Sequence, residues 1–252
     1  MAAGNVGRNI VTGVPGYAGI LSPANAASAI TVGALGTQNT LTHGDDAIPA
    51  YSSRGPTWYD ARPKPDIVAP GQDLVSDAAL GSTLVLEHPD HLVTVPGSKT
   101  RFLRMSGTSM AAAVTSGVAA LVIDAIRRAG GTVASPRMVK DILAFTAVPL
   151  RGYDALTQGH GALNAAGAIA LAKAIGASVP IAPYTVVKGE TWSWSQTTTF
   201  PASVVWDGHS IPAWAQTIVW GTSRDGDTIV WGTTIDWNNA ALWAATSMRG
   251  AG

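Results

Sequence analysis

A hydroxyl group at the start of a predicted helix is the feature of this sequence that most directly indicates chemistry. Ser109 stands in the segment Ser106 to Ala113, which opens an apolar run that continues to Ile126. Gly107 permits a tight turn before the helix, so the first helical N–H groups and the positive end of the helix dipole lie beside the Ser109 oxygen. Negative charge develops there during acyl transfer, and the pattern therefore favours Ser109 as a nucleophile.

Four other short blocks precede this segment in a fixed order along the chain. They are Ala2 to Asn5, Ser28 to Ala34, Tyr51 to Pro56 and Lys64 to Gly71. The first block ends on Asn5, a residue with a side-chain amide.

With these blocks the chain resembles the subtilases, the subtilisin-like serine peptidases, over roughly residues 1 to 175. The resemblance implies that Ser109 is the nucleophile and that Asn5 is the side-chain donor of the oxyanion hole, acting with the Ser109 backbone N–H. It implies that a wall of the pocket for the substrate side chain before the scissile bond is formed by Ala2, Ala3 and Gly4. It also implies that the nucleophile turn is supported by Gly107, Thr108 and Met110.

The resemblance also predicts an incomplete site. Subtilase triads run Asp, His, Ser along the chain, and in the family both earlier members lie upstream of the oxyanion asparagine. Only four residues precede Asn5, so we expect a C-terminal part of a catalytic domain whose missing N-terminal half supplies Asp and His. A serine without an adjacent base is a weak nucleophile, so feeble activity is predicted for this chain alone.

The sequence contains five histidines, each a candidate substitute base or metal ligand. His43 has carboxylates nearby at Asp45 and Asp46, but its polar, Gly-containing surroundings favour a surface loop over a substitute dyad. His88 and His91 flank Pro89 and Asp90 and are interpreted as a solvated loop, not a metal site. His160 is predicted to be structural, and His209 to lie in a turn.

Composition excludes several classes of function. A formal net charge of zero and a sequence pI near 7.0 argue against nucleic acid or an anionic membrane as a partner. The absence of cysteine excludes disulfides and thiol catalysis. No signal peptide begins the chain, and the apolar stretch Gly117 to Ile126 is too short for a membrane span. No cofactor or metal is evident; for the parent protein, the resemblance implies secretion from a bacterial cell and allows a calcium site.

An α/β fold follows from the periodicity: a partial subtilisin-like parallel sheet with flanking helices. Short buried strands are predicted near residues 1–4, 30–35 and 66–68, and helices near 108–128, 136–145 and 164–175. Alternating residues at 82–87 and 92–95 predict a hairpin. Loss of neighbouring strands would expose the sheet edge, so self-association through exposed surface is expected.

A change of composition near residue 179 predicts two domains: 1–178, the C-terminal part of the catalytic domain, and 179–252, a small β-rich appendage. The second segment contains eight of the nine tryptophans and a direct repeat, Thr217 to Thr222 against Thr228 to Thr233. β-Branched residues with Trp and Gly favour strands and turns. Two roles are open for these tryptophans: binding of a carbohydrate or polymer surface or attachment to a cell surface, and a structural role in which the rings bury one another or patch the exposed surface of the catalytic domain. We favour the structural role.

Three function classes remain open at this point. The first is a serine peptidase that cleaves peptide bonds through an acyl-enzyme at Ser109. The second is an esterase at the same serine, because activated esters need less leaving-group protonation. The third is a non-catalytic Trp-rich binding fragment. The resemblance favours the first, with polypeptide as the substrate.

Overall fold

The structure is a computed structural model, and it describes residues 1–9, 11–40, 42–97, 100–131 and 134–196, with the backbone of four short strands beyond them. The strands are β1 Val32–Leu35, β2 Ile67–Pro70, β3 Leu74–Asp77, β4 Leu92–Thr94, β5 Arg101–Met105, β6 Tyr184–Val187, β7 Glu190–Ser193, β8 Val205–Trp206, β9 His209–Ser210, β10 Ile218–Thr222 and β11 Thr228–Trp231. The helices are α1 Thr83–Glu87, α2 Thr108–Arg128, α3 Pro136–Thr146, α4 Ala155–Gln158 and α5 Ala165–Ala177.

A parallel sheet forms the centre of the fold. β1 and β2 pair in parallel, with Val32 opposite Ile67. Single parallel bridges from Ala2 to Val32 and from Val68 to Ala162 add one chain segment on each side. Both strands are buried almost throughout, as expected for parallel strands covered on both faces. The predicted α/β class is therefore confirmed.

Helix α2 carries Ser109 and packs across this sheet. Its buried positions include Ala111, Thr115, Val118, Val122 and Ala125, a spacing of three and four residues that forms one stripe. This stripe meets the β1 and β2 side chains, α3 and α5 in the main core.

By length and composition α2 could also cross a bilayer, since its most apolar window has a mean hydropathy of 1.8; it is the one such helix in the described ranges. It is longer than the apolar stretch noted in the sequence. Its contacts with the sheet and with α5 are those of a core helix.

The prediction of a strand at residues 82–87 is wrong. These residues form helix α1, because Ser82 caps it: its Oγ accepts a hydrogen bond from the Val85 N–H at 3.4 Å. A six-residue alternation is too short to distinguish the two structures when a cap is present. The strand predicted at residues 92–95 is confirmed as β4, which joins an antiparallel sheet of order β3-β5-β4. β5 in its centre leads directly into the turn before Ser109.

The first hairpin after residue 178, β6 with β7, packs on the main core. Trp194 follows it, is 3% exposed, and lies edge-on to Phe145 with ring centroids 6.2 Å apart. Its Nε1 donates to Thr185 Oγ1 at 2.7 Å. Trp194 therefore packs against the core that is formed by residues before 178. The division at residue 178 itself stays a prediction.

The predicted repeat forms strands. β10 and β11 pair antiparallel, with Ile218 opposite Trp231, so the two copies are the two arms of one hairpin. β8 and β9 form another. The side chains of the remaining tryptophans from residue 206 onward lie outside the described residues, and so does any test of the polymer-binding role.

A buried ionic cluster closes the sheet at the amino ends of its strands. The Asp66 carboxylate accepts hydrogen bonds from Lys64 Nζ at 2.8 Å, Lys140 Nζ at 2.9 Å and the Thr31 N–H at 2.7 Å. Burial lowers the pKa of Lys64 to about 8, against the opposing effect of Asp66. Removing one partner of such a cluster leaves buried charge uncompensated. The cluster therefore anchors the end of the sheet opposite to Asn5 and Gly71.

His160 lies beside this cluster, and we expect it to make the free energy of unfolding sensitive to acid. Its backbone N–H donates to the Asp66 carbonyl, and burial lowers the pKa of its ring to about 4 from an ordinary value near 6.5. Between these pH values the unfolded chain binds more protons, so the stabilisation present above pH 6.5 is lost as the pH falls towards 4. We expect His160 to account for about 3 kcal/mol or less of that loss.

Urea unfolding of the protein and of His160→Gln at pH 7 and pH 4.5 measures this contribution. The variant should lose less stability between the two pH values than the wild type. Equal losses in both proteins would show that His160 does not contribute.

Candidate active site

The candidate site lies at the carboxyl ends of the parallel strands, where open α/β sheets bind ligands. Gly71 follows β2 and bonds through its N–H to the Leu35 carbonyl at the end of β1. Its carbonyl accepts the Gly107 N–H at 2.7 Å, which holds the turn before α2 against the sheet. Asn5 follows the bridged segment at Ala2 and so reaches the same edge.

Asn5 is hydrogen bonded to the residue next to Ser109. Its Oδ1 accepts both the Thr108 N–H and the Thr108 Oγ1–H, each at 3.0 Å. The Gly4 N–H in turn donates to Thr108 Oγ1 at 3.1 Å, and Thr108 is buried. These bonds orient the Asn5 amide with its oxygen towards the helix and leave Nδ2 on the other side.

Two donors are available at the N-terminus of α2. The Gly107 carbonyl accepts the N–H groups of Met110 and Ala111, and the Thr108 N–H is bound to Asn5. Within the described part of the chain, neither the Ser109 N–H nor Asn5 Nδ2 donates to a protein acceptor. Ser109 is exposed. A substrate oxygen placed beside it would meet these donors at the positive end of the helix dipole.

Glycine at two positions leaves room for this arrangement. At Gly107, φ is +157°, and a Cβ would lie 3.3 Å from Asn5 Nδ2. At Gly4, φ is +114° and a Cβ would lie 2.7 Å from Leu21 Cγ. Both residues therefore have a steric reason to lack a side chain.

The predicted pocket wall is only partly placed by the structure. Ala3 is completely buried, while Ala2 is half-buried at the sheet edge. Their contact with a substrate side chain stays a prediction. A separate cavity of about 420 Å³ lies next to the site, between the segment after Asn5 and the turn before Ser109. Its lining includes Arg8, Gln38, Tyr51, Gln72 and Ser106.

The block Tyr51 to Pro56 supports the Asn5 segment, a role that was not predicted from the sequence. The Ser53 N–H donates to the Gly4 carbonyl at 3.0 Å, and Ser53 Oγ accepts the Val6 N–H at 3.2 Å. The Gly7 N–H donates to the Tyr51 carbonyl at 2.8 Å. The sequence signal for this role is the run of hydroxyl residues that ends in Arg54, which lies between the two buried strands β1 and β2.

The histidines whose side chains the structure describes lie away from Ser109. His43 Nδ1 contacts the Asp46 carboxylate in the loop after β1, and its ring meets Trp192 with centroids 4.1 Å apart. His88 and His91 stack on each other with ring centroids 5.4 Å apart. The described residues contain no hydrogen bond from a histidine to Ser109 and no group of three metal-ligating side chains. The side chain of His209 lies outside the described residues.

Comparison with known proteins finds a family model, related sequences and solved structures that are similar to this chain. A model of the subtilase family, Peptidase_S8, matches residues 1–176. Serine protease AprX of Bacillus subtilis strain 168 is 35% identical over 165 residues, which are 66% of this chain and 33% of AprX. Pyrolysin of Pyrococcus furiosus is 33% identical over 209 residues, which are 72% of this chain and 13% of pyrolysin. Among solved structures, the patellamide maturation protease PatA is 29% identical, with a TM-score of 0.46 over 68% of this chain and 50% of that chain.

The matched region is a small share of each relative but a large share of this chain. The chain spans a third or less of the length of these two relatives. The family model, in contrast, covers well over half of this chain, from the segment that contains Asn5, through the helix that carries Ser109, into α5. The chain therefore belongs to the subtilase family.

Proposed function

We propose that this chain is the nucleophile-bearing part of a serine peptidase, with Ser109 as nucleophile and Asn5 as oxyanion donor. The observation that carries the proposal is the pair of hydrogen bonds from Thr108 to Asn5 Oδ1. They bring an amide from the start of the chain to the residue next to Ser109 and leave its Nδ2 available. Membership of the subtilase family supports the same roles.

The reaction then proceeds through an acyl-enzyme. Ser109 Oγ attacks the peptide carbonyl carbon while a base takes the hydroxyl proton, and the carbonyl oxygen becomes an oxyanion. Asn5 Nδ2 and the Ser109 N–H donate hydrogen bonds to that oxyanion. The C–N bond breaks as the amine leaves with the proton, and water hydrolyses the resulting ester by the reverse sequence.

The base comes, in this proposal, from the longer parent protein. No histidine in the described residues bonds to Ser109, and this chain spans only part of its relatives. In the Ser-His-Asp mechanism the histidine accepts the serine proton and the aspartate orients the histidine. We therefore assign both to a segment of the parent that precedes Asn5, and we treat that segment as the chain's principal partner.

A polypeptide is the substrate that we infer. The relatives AprX and pyrolysin support this by family, and AprX is named a serine protease. The cavity between Arg8 and Ser106 provides space for a substrate residue beside the site. An ester substrate is favoured only for the chain alone, because an activated leaving group departs without protonation.

The test compares this chain with the same chain joined to the preceding segment of its parent, on a chromogenic peptide and an activated p-nitrophenyl ester. We expect peptide turnover from the longer protein, and only slow ester turnover from this chain. Labelling of Ser109 by a serine-directed phosphonate, read by mass spectrometry, should follow the same order. Peptide turnover by this chain at the rate of the longer protein would contradict the incomplete site.

A further inference from the structure

A buried arginine stands behind the Asn5 segment. Arg54 is 7% exposed, and arginine is rarely so buried without a partner. Its Nη1 donates to the Gly7 carbonyl at 2.8 Å, and its guanidinium carbon lies 6.0 Å from the centroid of the Tyr17 ring. Within the described residues, no carboxylate lies within 4.0 Å of this guanidinium. Within the described part of the chain, the hydrogen-bond acceptor of this guanidinium is therefore the backbone carbonyl of Gly7, two residues after Asn5.

Gly7 is held on several sides. Its N–H donates to the Tyr51 carbonyl at 2.8 Å, and its carbonyl also accepts the Gly16 N–H at 2.9 Å. A Cβ on Gly7 would lie 2.0 Å from the Ser52 carbonyl oxygen, so only glycine lets the two backbones approach this closely. The position of Gly7 thus depends on the block that contains Arg54, and Asn5 is two peptide units away.

We propose that Arg54 is a positioning residue for the oxyanion hole, because its hydrogen bond to Gly7 fixes the backbone that carries Asn5. The proposal rests on the proposed role of Asn5. A charged donor in a buried environment holds a carbonyl more firmly than a neutral one. The planar guanidinium can also lie against an aromatic ring while it donates, which a lysine ammonium does not reproduce.

The far side of Arg54 is anchored to a helix. Tyr17, which faces the guanidinium, donates its hydroxyl to the Asp154 carboxylate. Asp154 caps α4, since its Oδ1 accepts the Thr157 N–H at 2.8 Å. The Gly55 N–H also donates to the Leu156 carbonyl within α4. Support for Asn5 therefore reaches back to a regular element, which holds a functional group more accurately than a loop does.

The first test needs no catalysis and uses this chain. Amide hydrogen exchange is measured at Val6, Gly7 and Gly16 in the wild type, Arg54→Met and Arg54→Lys. We expect exchange at these amides to rise about tenfold or more in Arg54→Met, which corresponds to about 1.4 kcal/mol, and less in Arg54→Lys. The control is Arg62→Met, because Arg62 is an exposed arginine of the same loop that pairs with Asp60.

Core amides of α3 and α5 serve as the internal reference for folding. If Arg54→Met unfolds as a whole, exchange rises in those helices as well, and Arg54→Lys then decides the question. Exchange at Val6, Gly7 and Gly16 that stays at the wild-type rate in a folded Arg54 variant would overturn the proposal.

The second test is a double-mutant cycle in the longer parent protein. Arg54→Met should lower kcat about tenfold with little change in KM. In an Asn5→Ala background, the same substitution should cost less than twofold, because its effect passes through Asn5. Equal losses in both backgrounds would overturn the link to the oxyanion hole. If Asn5→Ala alone has no effect, the proposed function fails, whereas the exchange measurement still decides whether Arg54 positions Gly7.

Discussion

Ser109→Ala in the proposed longer parent protein is expected to lower kcat about 10⁶-fold for a chromogenic peptide. The magnitude is the one measured for subtilisin, a member of this family, and is not calculated from this structure. The physical reason is that alanine cannot form the acyl-enzyme, so that only oxyanion stabilisation and substrate binding remain. Steady-state kinetics with a serine-directed phosphonate label on the same samples measures both the rate and the residue modified.

Ser116→Ala is the matched control for this substitution. Ser116 also lies on α2, is exposed, and donates its hydroxyl to the Ala112 carbonyl at 2.8 Å. It should keep the wild-type rate and label at Ser109. A Ser109→Ala protein that retains a tenth or more of the wild-type rate would show that the nucleophile is another residue.

Asn5→Ala is expected to lower kcat about 10² to 10³-fold, or about 2.7–4 kcal/mol, while KM changes little. This range also comes from the corresponding asparagine of subtilisin. The loss falls on kcat because the donor acts on charge that exists only in the transition state. Kinetics on one peptide substrate, with kcat and KM determined separately, test the prediction. A raised KM with an unchanged kcat would instead assign Asn5 to ground-state binding.

A second substitution separates the donor from the structural contact. Asn5→Asp keeps an oxygen that accepts the Thr108 N–H and hydroxyl, but it replaces Nδ2 with an anionic oxygen that repels the oxyanion. We expect its kcat to fall at least as far as that of Asn5→Ala. Asn9→Ala is the control, since Asn9 Oδ1 accepts the N–H groups of Val11 and Thr12 in an exposed turn of the same segment. It should leave kcat unchanged.

Local features of the structure were predictable because they depend on neighbouring residues. The stripe of small and branched residues in α2 appears at helical spacing in the printed sequence. Ser135 before Pro136 indicates the start of α3, and its Oγ does accept the Met138 N–H at 3.1 Å. Asn164 caps α5 in the same way. The prediction of a strand at residues 82–87 failed because the Ser82 cap favours helix α1 more strongly than a short alternation of apolar residues favours a strand.

The site itself was predictable only in its residue types. The sequence, through four blocks and a glycine before a helix, identified Ser109 and Asn5 as chemical groups and indicated the family. The bonds that orient Asn5 connect it to Thr108, which is 103 positions away in the sequence. A local sequence pattern does not predict which residues so far apart are in contact. The role of Arg54 depends likewise on a carbonyl 47 positions before it.

What the sequence determined by itself is therefore the set of groups, the helix that presents Ser109, and the short buried strands. Tertiary structure alone decided which groups meet. Parallel pairing of the segments at Ala2, β1 and β2 brings their carboxyl ends to one edge, and the turn before α2 docks there through Gly71. The physical reason is that hydrogen bonds act over about 3 Å, so their partners are specified only after the sheet has placed distant segments side by side.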